Sequence, residues 1–190
     1  MEEKTQKYFW DDYWSKNSVS SVNYNFSFDR CLVKEFKKRL TKDKNKSILE
    51  IGCAPGKWLV FFNKQFGYFP SGIDYSSVGV ERTEENFRLN RINGSIRSAD
   101  IFQIEPENKY DIVISLGFIE HFEKPIDVVK KHIEFLKDDG LLILGVPNFR
   151  GLNYYIQKYA DKHILDKHNT NIDNISHIID YHKHNLVCFL

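Results

Sequence analysis

The chain is predicted to fold as an α/β protein with a doubly wound, mostly parallel sheet and helices on both faces. Three observations lead there. Between Ser47 and Val146, short apolar runs alternate with longer stretches of helical periodicity. Several runs are rich in β-branched residues and apolar throughout, the pattern of strands covered on both sides. Turn-forming or polar residues then follow at Gly52, Asp74, Asp100, Gly117 and Pro147. Such βαβ units cross over with a right hand, which brings the carboxyl ends of the strands to one edge.

Taken in order, residues 4 to 16 carry Tyr8, Phe9, Trp10, Tyr13 and Trp14 among charges, a spacing that gathers the rings into one stripe of a short helix. Such a stripe packs on a core or closes over a ligand. Ser18 to Phe26 is polar and irregular. Cys31, Leu32, Phe36 and Leu40 mark a second helix ending before Asp43, and Lys34, Lys37, Lys38, Arg39, Lys42, Lys44 and Lys46 form its solvated side. Ile48, Leu49 and Ile51 make the first strand, and Trp58, Leu59, Phe61 and Phe62 the inner face of the next helix. Tyr68 to Asp74 is the second strand, after which Ser76 or Ser77 caps a helix reaching Arg91. Ser95 to Ala99 and Tyr110 to Leu116 are the third and fourth strands. Pro125 starts a helix with Val128, Val129, Ile133 and Leu136 inside, ended by Asp139-Gly140; Leu141 to Val146 is the fifth strand, and Leu186 to Leu190 enters a sixth.

The stretch Ser47 to Phe62 reads as strand, glycine turn and helix, so it offers backbone N–H groups and a helix N-terminus to a polar ligand. A phosphate-binding Walker loop is excluded, because the glycines are one residue too close and Trp58 stands where a magnesium-binding hydroxyl is needed. Ala54 replaces the second glycine of the dinucleotide fingerprint. What remains, Glu50-x-Gly52-x-x-x-Gly56, resembles the first motif of the class I S-adenosylmethionine-dependent methyltransferases. Asp74 ends the second strand about twenty residues after Gly52, the offset at which an acid meets ribose hydroxyls in nucleotide folds.

The resemblance covers Ile48 to Asn148 and implies a Rossmann-like fold with S-adenosyl-L-methionine as cofactor. It places the cofactor's amino-acid end at Glu50, Gly52, Cys53, Ala54 and Gly56, and its ribose at Asp74 and Tyr75. Its adenine falls at Asp100 and Ile101, and the methionine part at Ser115 and Leu116. His121, in the segment Gly117-Phe118-Ile119-Glu120-His121-Phe122, is the candidate general base, with Asn148 in the acceptor pocket. The CAPGKW turn also looks like that of RNA 2′-O-methyltransferases, but those carry a catalytic aspartate where this chain reads Ser115-Leu116-Gly117. The Glu120-His121 segment looks more like methyltransferases of sugars, quinone precursors and surface-polysaccharide intermediates.

The expected function is therefore methyl transfer to an O or N atom of a small molecule, with a sugar or glycan intermediate as one acceptor class. RNA 2′-O-methylation and an inactive cofactor-binding scaffold are the alternatives. The 190 residues are expected to form one domain: a helical cap at 1–46, a cofactor-binding core at 47–148 and a partial acceptor-side region at 149–190. Members of the family add further strands at the carboxyl end, so the sheet reads as incomplete there, with an apolar edge that a second copy could pair. A net charge of +1 makes no electrostatic case for a nucleic-acid partner. Cys31, Cys53 and Cys188 are scattered, and His163, His168, His177, His182 and His184 lack ligand spacing, so no metal site is expected. With no signal peptide and no membrane span in the sequence, a cytoplasmic protein with no membrane partner is expected.

Overall fold

The computed structural model describes residues 5–146 and the strand backbone of residues 186–189. Two helices, α1 (Lys7–Lys16) and α2 (Ser27–Arg39), precede β1 (Ser47–Ile51), α3 (Lys57–Phe66), β2 (Phe69–Asp74), α4 (Ser77–Asn90) and β3 (Ser95–Ser98). Then follow β4 (Tyr110–Leu116), α5 (Pro125–Glu134), β5 (Leu136–Gly145) and β6 (Leu186–Phe189). Short 3-10 turns at Ile101–Gln103 and Ile119–His121 follow β3 and β4. The sheet order is β3-β2-β1-β4-β5-β6, with every neighbouring pair parallel. From β1 the chain builds outward through β2 and β3, then returns to lay β4 on the other side. The switch point thus lies between β1 and β4, where open α/β sheets leave a crevice.

Strand alternation divides the core in two. Ile48 of β1 and Ile112 and Ile114 of β4 face α2 and α3, where they meet Phe36, Trp58, Phe62 and their neighbours. Leu49, Ile51 and Val113 face the other way, onto Val128 and Val129 of α5. The helix ends are local in origin. The Ser76 hydroxyl accepts the Gly79 N–H at 3.0 Å to start α4, and α3 runs between left-handed Gly56 (φ 77°) and Gly67 (φ 84°).

Two expectations need correction. Helix α5 stops at Glu134, not at Gly140, because the Tyr110 N–H bonds the Phe135 carbonyl at 2.8 Å and draws Leu136 into the sheet opposite Tyr110. The Asp139-Gly140 signal marks a bulge inside β5, where the pairing jumps from Tyr110–Leu136 to Ile112–Leu141. In α2, Cys31 is exposed, and Val33 joins Leu32 and Phe36 on the buried side. Pro147, Asn148 and the five tail histidines lie outside the described residues. Among the described residues no helix is long and apolar enough to cross a membrane.

Candidate functional site

A cavity of about 260 Å³ opens at the carboxyl edge of the sheet. Its floor is the turn after β1. Gly52 takes φ 73°, and its N–H and that of Cys53 both bond the Ile73 carbonyl, at 2.8 and 3.3 Å, strapping the turn to β2. A methyl group on Gly52 would meet Phe118 Cδ2 at 2.6 Å, so the close approach of that ring requires glycine there as much as the dihedral does.

Asp74, at the end of β2, is held by the same turn. Its Oδ2 accepts the Ala54 N–H at 3.0 Å and its Oδ1 the Ser76 N–H at 2.9 Å. Burial pushes its carboxyl up to about 6 against the pull of those N–H groups, and the nearby Asp11 carboxylate adds to the rise. After β3, Asp100 caps the 3-10 turn: its Oδ1 accepts the Phe102 N–H at 2.9 Å and its Oδ2 the Gln103 amide at 3.0 Å. Ile101 is buried beside it. Capping this turn therefore coexists with a place for Asp100 in the cavity wall.

The far wall comes from the segment after β4. Left-handed Gly117 (φ 75°) turns the chain inward, so that Leu116, Phe118, His121 and Phe122 line the cavity. The His121 ring is 8% exposed; its Nδ1 lies 3.4 Å from the Thr5 hydroxyl, and Trp10 meets it edge-on at 5.0 Å. Helix α1 is the roof, with Trp10, Tyr13 and Trp14 over the opening. It docks on α4, where Gly79 leaves so little room that an added Cβ would come within 3.0 Å of the Trp14 ring.

Of the expected site residues, Gly52, Ala54, Asp74, Tyr75, Asp100, Ile101, Leu116 and His121 are brought together around this one space. Glu50, Cys53, Gly56 and Ser115 are not in its wall. Glu50 alternates with Leu49 and Ile51 and so points to the α3 side, where the Leu59 N–H at the first turn of the helix bonds its carboxyl group. Burial holds that carboxyl well above the usual range, with Lys57 opposing, and its Oε2 has no hydrogen-bond partner among the described residues. The Cys53 thiol is buried against Gly72 and Thr83, and burial raises it too. Gly56 opens α3, and an added methyl there would strike Thr83 at 2.7 Å. The Ser115 hydroxyl is buried without a hydrogen-bond partner among the described residues. Sequence reasoning missed Thr5, Phe102, Phe118 and Phe122 in the wall. The Phe118 and Phe122 pair flanking Glu120-His121 was a usable signal, whereas nothing local marked Thr5.

Comparison with known proteins agrees with this architecture. A family model described as a methyltransferase domain matches residues 26–185. A ubiquinone biosynthesis O-methyltransferase of Pelagibacter ubique is 23% identical over 163 residues, covering 82% of this chain and 68% of that protein. An (S)-coclaurine N-methyltransferase of Papaver somniferum is 29% identical over 58% of this chain and 32% of its own length. Among solved structures, a Thiobacillus denitrificans S-adenosylmethionine-dependent methyltransferase in complex with S-adenosyl-L-homocysteine superposes with a TM-score of 0.57 at 15% identity. It covers 72% of this chain and 54% of that one. A coclaurine N-methyltransferase bound to N-methylheliamine and S-adenosylhomocysteine gives 0.56 at 21% identity, over 69% and 40%. The chain thus spans about two thirds of one of these relatives and roughly a third to a half of the others. On the family match, this chain belongs to the methyltransferase-domain family of the class I S-adenosylmethionine-dependent superfamily.

Proposed function

We propose that the protein transfers a methyl group from S-adenosyl-L-methionine to an O or N atom of a small molecule, with sugar or glycan intermediates among its acceptors. The observation that carries this reading is the convergence of Gly52, Asp74, Asp100 and His121, from four separate segments, on one cavity roofed by aromatic rings. The residues present fit the cofactor. An ionised carboxylate has about four acceptor positions, so beyond the Ala54, Ser76 and Tyr75 N–H groups Asp74 keeps room for a ribose hydroxyl. Ile73, Ile101 and Phe102 offer an apolar slot to a purine, with Asp100 at its edge. Gly52 lets the backbone approach the amino-acid end, and the Glu50 oxygen beneath the turn, without a partner among the described residues, is an acceptor for an amino group reached through water.

The cofactor supplies a methyl group on a sulfonium and leaves as a neutral thioether. The chain's own task is then alignment and proton removal. Trp10, Tyr13 and Phe118 exclude water and present flat faces to an acceptor. His121 takes the proton that the acceptor oxygen or nitrogen loses, a step worth about 10²-fold to 10⁴-fold where the acceptor is an alcohol or amine. Titration calorimetry with S-adenosylhomocysteine tests the cofactor; binding is expected, and its absence refutes methyl transfer. Labelled-methyl transfer to phenols, amines, sugar nucleotides and RNA then sorts acceptors. Incorporation into RNA alone would refute the small-molecule reading, and binding without any transfer would favour a scaffold.

A further inference from the structure

Helix α1 roofs the cavity, yet none of its ten residues is fully buried, so apolar packing alone holds it weakly. Its polar attachment is concentrated near one serine. Asp11 Oδ1 accepts the Ser76 hydroxyl at 2.6 Å, and Ser76 is itself completely buried. The same hydroxyl accepts the Gly79 N–H at 3.0 Å, and the Ser76 backbone N–H donates to Asp74 Oδ1 at 2.9 Å. One residue therefore joins a carboxylate of the roof to a carboxylate of the cavity wall. Longer bonds from Arg82 to the Trp14 and Ser15 carbonyls, at 3.3 and 3.5 Å, supplement it.

We propose that Asp11 is a positioning residue: through Ser76 it seats the aromatic helix over the cavity and couples that closure to the charge on Asp74. Two like charges bridged by one serine disfavour each other, so a docked Asp11 strengthens proton binding at Asp74. By linkage, a neutral Asp74 strengthens docking to the same extent. The other titratable or charged groups around Asp74 are Glu50 and Cys53 from the first strand and its turn, Asp100 and His121 across the cavity, and Lys7, whose ammonium lies 5.9 Å from the Tyr75 ring. Asp11→Asn leaves all of these in place. It keeps an acceptor oxygen for Ser76 and removes a single charge. Asp11→Ala removes both.

The functional consequence rests on reading Asp74 as the ribose ligand, so the test begins on the ligand-free full-length chain. With ¹³C-carboxyl aspartate, the Asp74 resonance is identified by its loss in Asp74→Asn and titrated in the wild type and both Asp11 variants. The Asp74 midpoint is expected to fall by about half a unit to one unit in Asp11→Asn and in Asp11→Ala. Iodide quenching of Trp10 and Trp14 should stay at the wild-type level in Asp11→Asn and rise about two-fold in Asp11→Ala, with thermal melts confirming folding. Affinity for S-adenosylhomocysteine should drop about ten-fold in Asp11→Ala only. An unmoved midpoint in Asp11→Asn, or unchanged quenching in Asp11→Ala, overturns the proposal. Should the wild type fail to bind S-adenosylhomocysteine while the midpoint still moves, the role of Asp11 stands and the cofactor reading falls.

Discussion

Affinity for the cofactor product should depend on pH through one group. Asp74 is pushed up to about 6 by burial, and ribose hydroxyls donate to a carboxylate far better than to a carboxylic acid. If binding needs the ionised form, about 3% of the sites are protonated at about pH 7.5 and about 90% at about pH 5. The dissociation constant for S-adenosylhomocysteine should therefore rise about ten-fold across that interval, or ~1.4 kcal/mol. The ligand-free fold moves in the opposite sense. A carboxyl raised in the folded state contributes stability that is fully present below its unfolded value of 3.8 and is lost as pH passes through about 6. At most ~3 kcal/mol is involved. The gain in melting temperature on adding ligand should consequently be larger near neutral pH than near about pH 5. Calorimetry across this range with wild type and Asp74→Asn checks both claims. A flat dissociation constant in the wild type, or the same slope in the variant, would refute the reasoning.

Four further outcomes are expected. Asp74→Ala should weaken binding of S-adenosylhomocysteine by about 1 to 3 kcal/mol, read by the same calorimetry. His121→Ala should slow turnover by about 10²-fold while leaving that affinity within about two-fold, and a normal rate at every pH would reduce His121 to a wall residue. Lys57→Met should cost about 2 to 3 kcal/mol in urea unfolding, because Lys57 Nζ bonds both oxygens of Asp29, at 2.9 and 3.2 Å, and Asp29 is 1% exposed. His132 is fully buried, and that burial lowers its ring to about 4. The unfolded chain takes up this proton near pH 6.5 and the folded chain does not, so stability should fall as pH drops from about 6.5 to about 4. His132→Gln should flatten that part of the pH–stability curve.

The sheet was legible because parallel strands covered on both faces are apolar throughout, and because Gly52, Asp74 and Asp100 end three of them at the same edge. What escaped was set by contacts distant in sequence. The bulge in β5 depends on Tyr110 of β4 meeting Phe135 at the end of α5, and no local signal separates it from a turn after a helix. Thr5 reaches His121 across 116 positions. Glu50 is different: the alternation of Leu49, Glu50 and Ile51 already implied that its side chain leaves on the α3 side, and the motif reading passed over that period of two. For Cys31, the helical stripe was right and its phase was off by a fraction of a turn, since Val33 fills the buried position.

The division of labour along each strand has an evolutionary consequence. The bodies of β1 and β4 bury Ile48, Leu49, Val113 and Ile114 almost completely, while the residues facing the cavity sit at the last positions of the strands and in the segments beyond them. Selection for a new acceptor can therefore rewrite the rings of α1, none of them fully buried, without touching the hydrocarbon that keeps the chain folded. Gly52 belongs to both accounts, since it lines the cavity and is pinned by its own dihedral and by the Phe118 ring. Lineages diverging in what they methylate should differ first in the roof and last at this glycine.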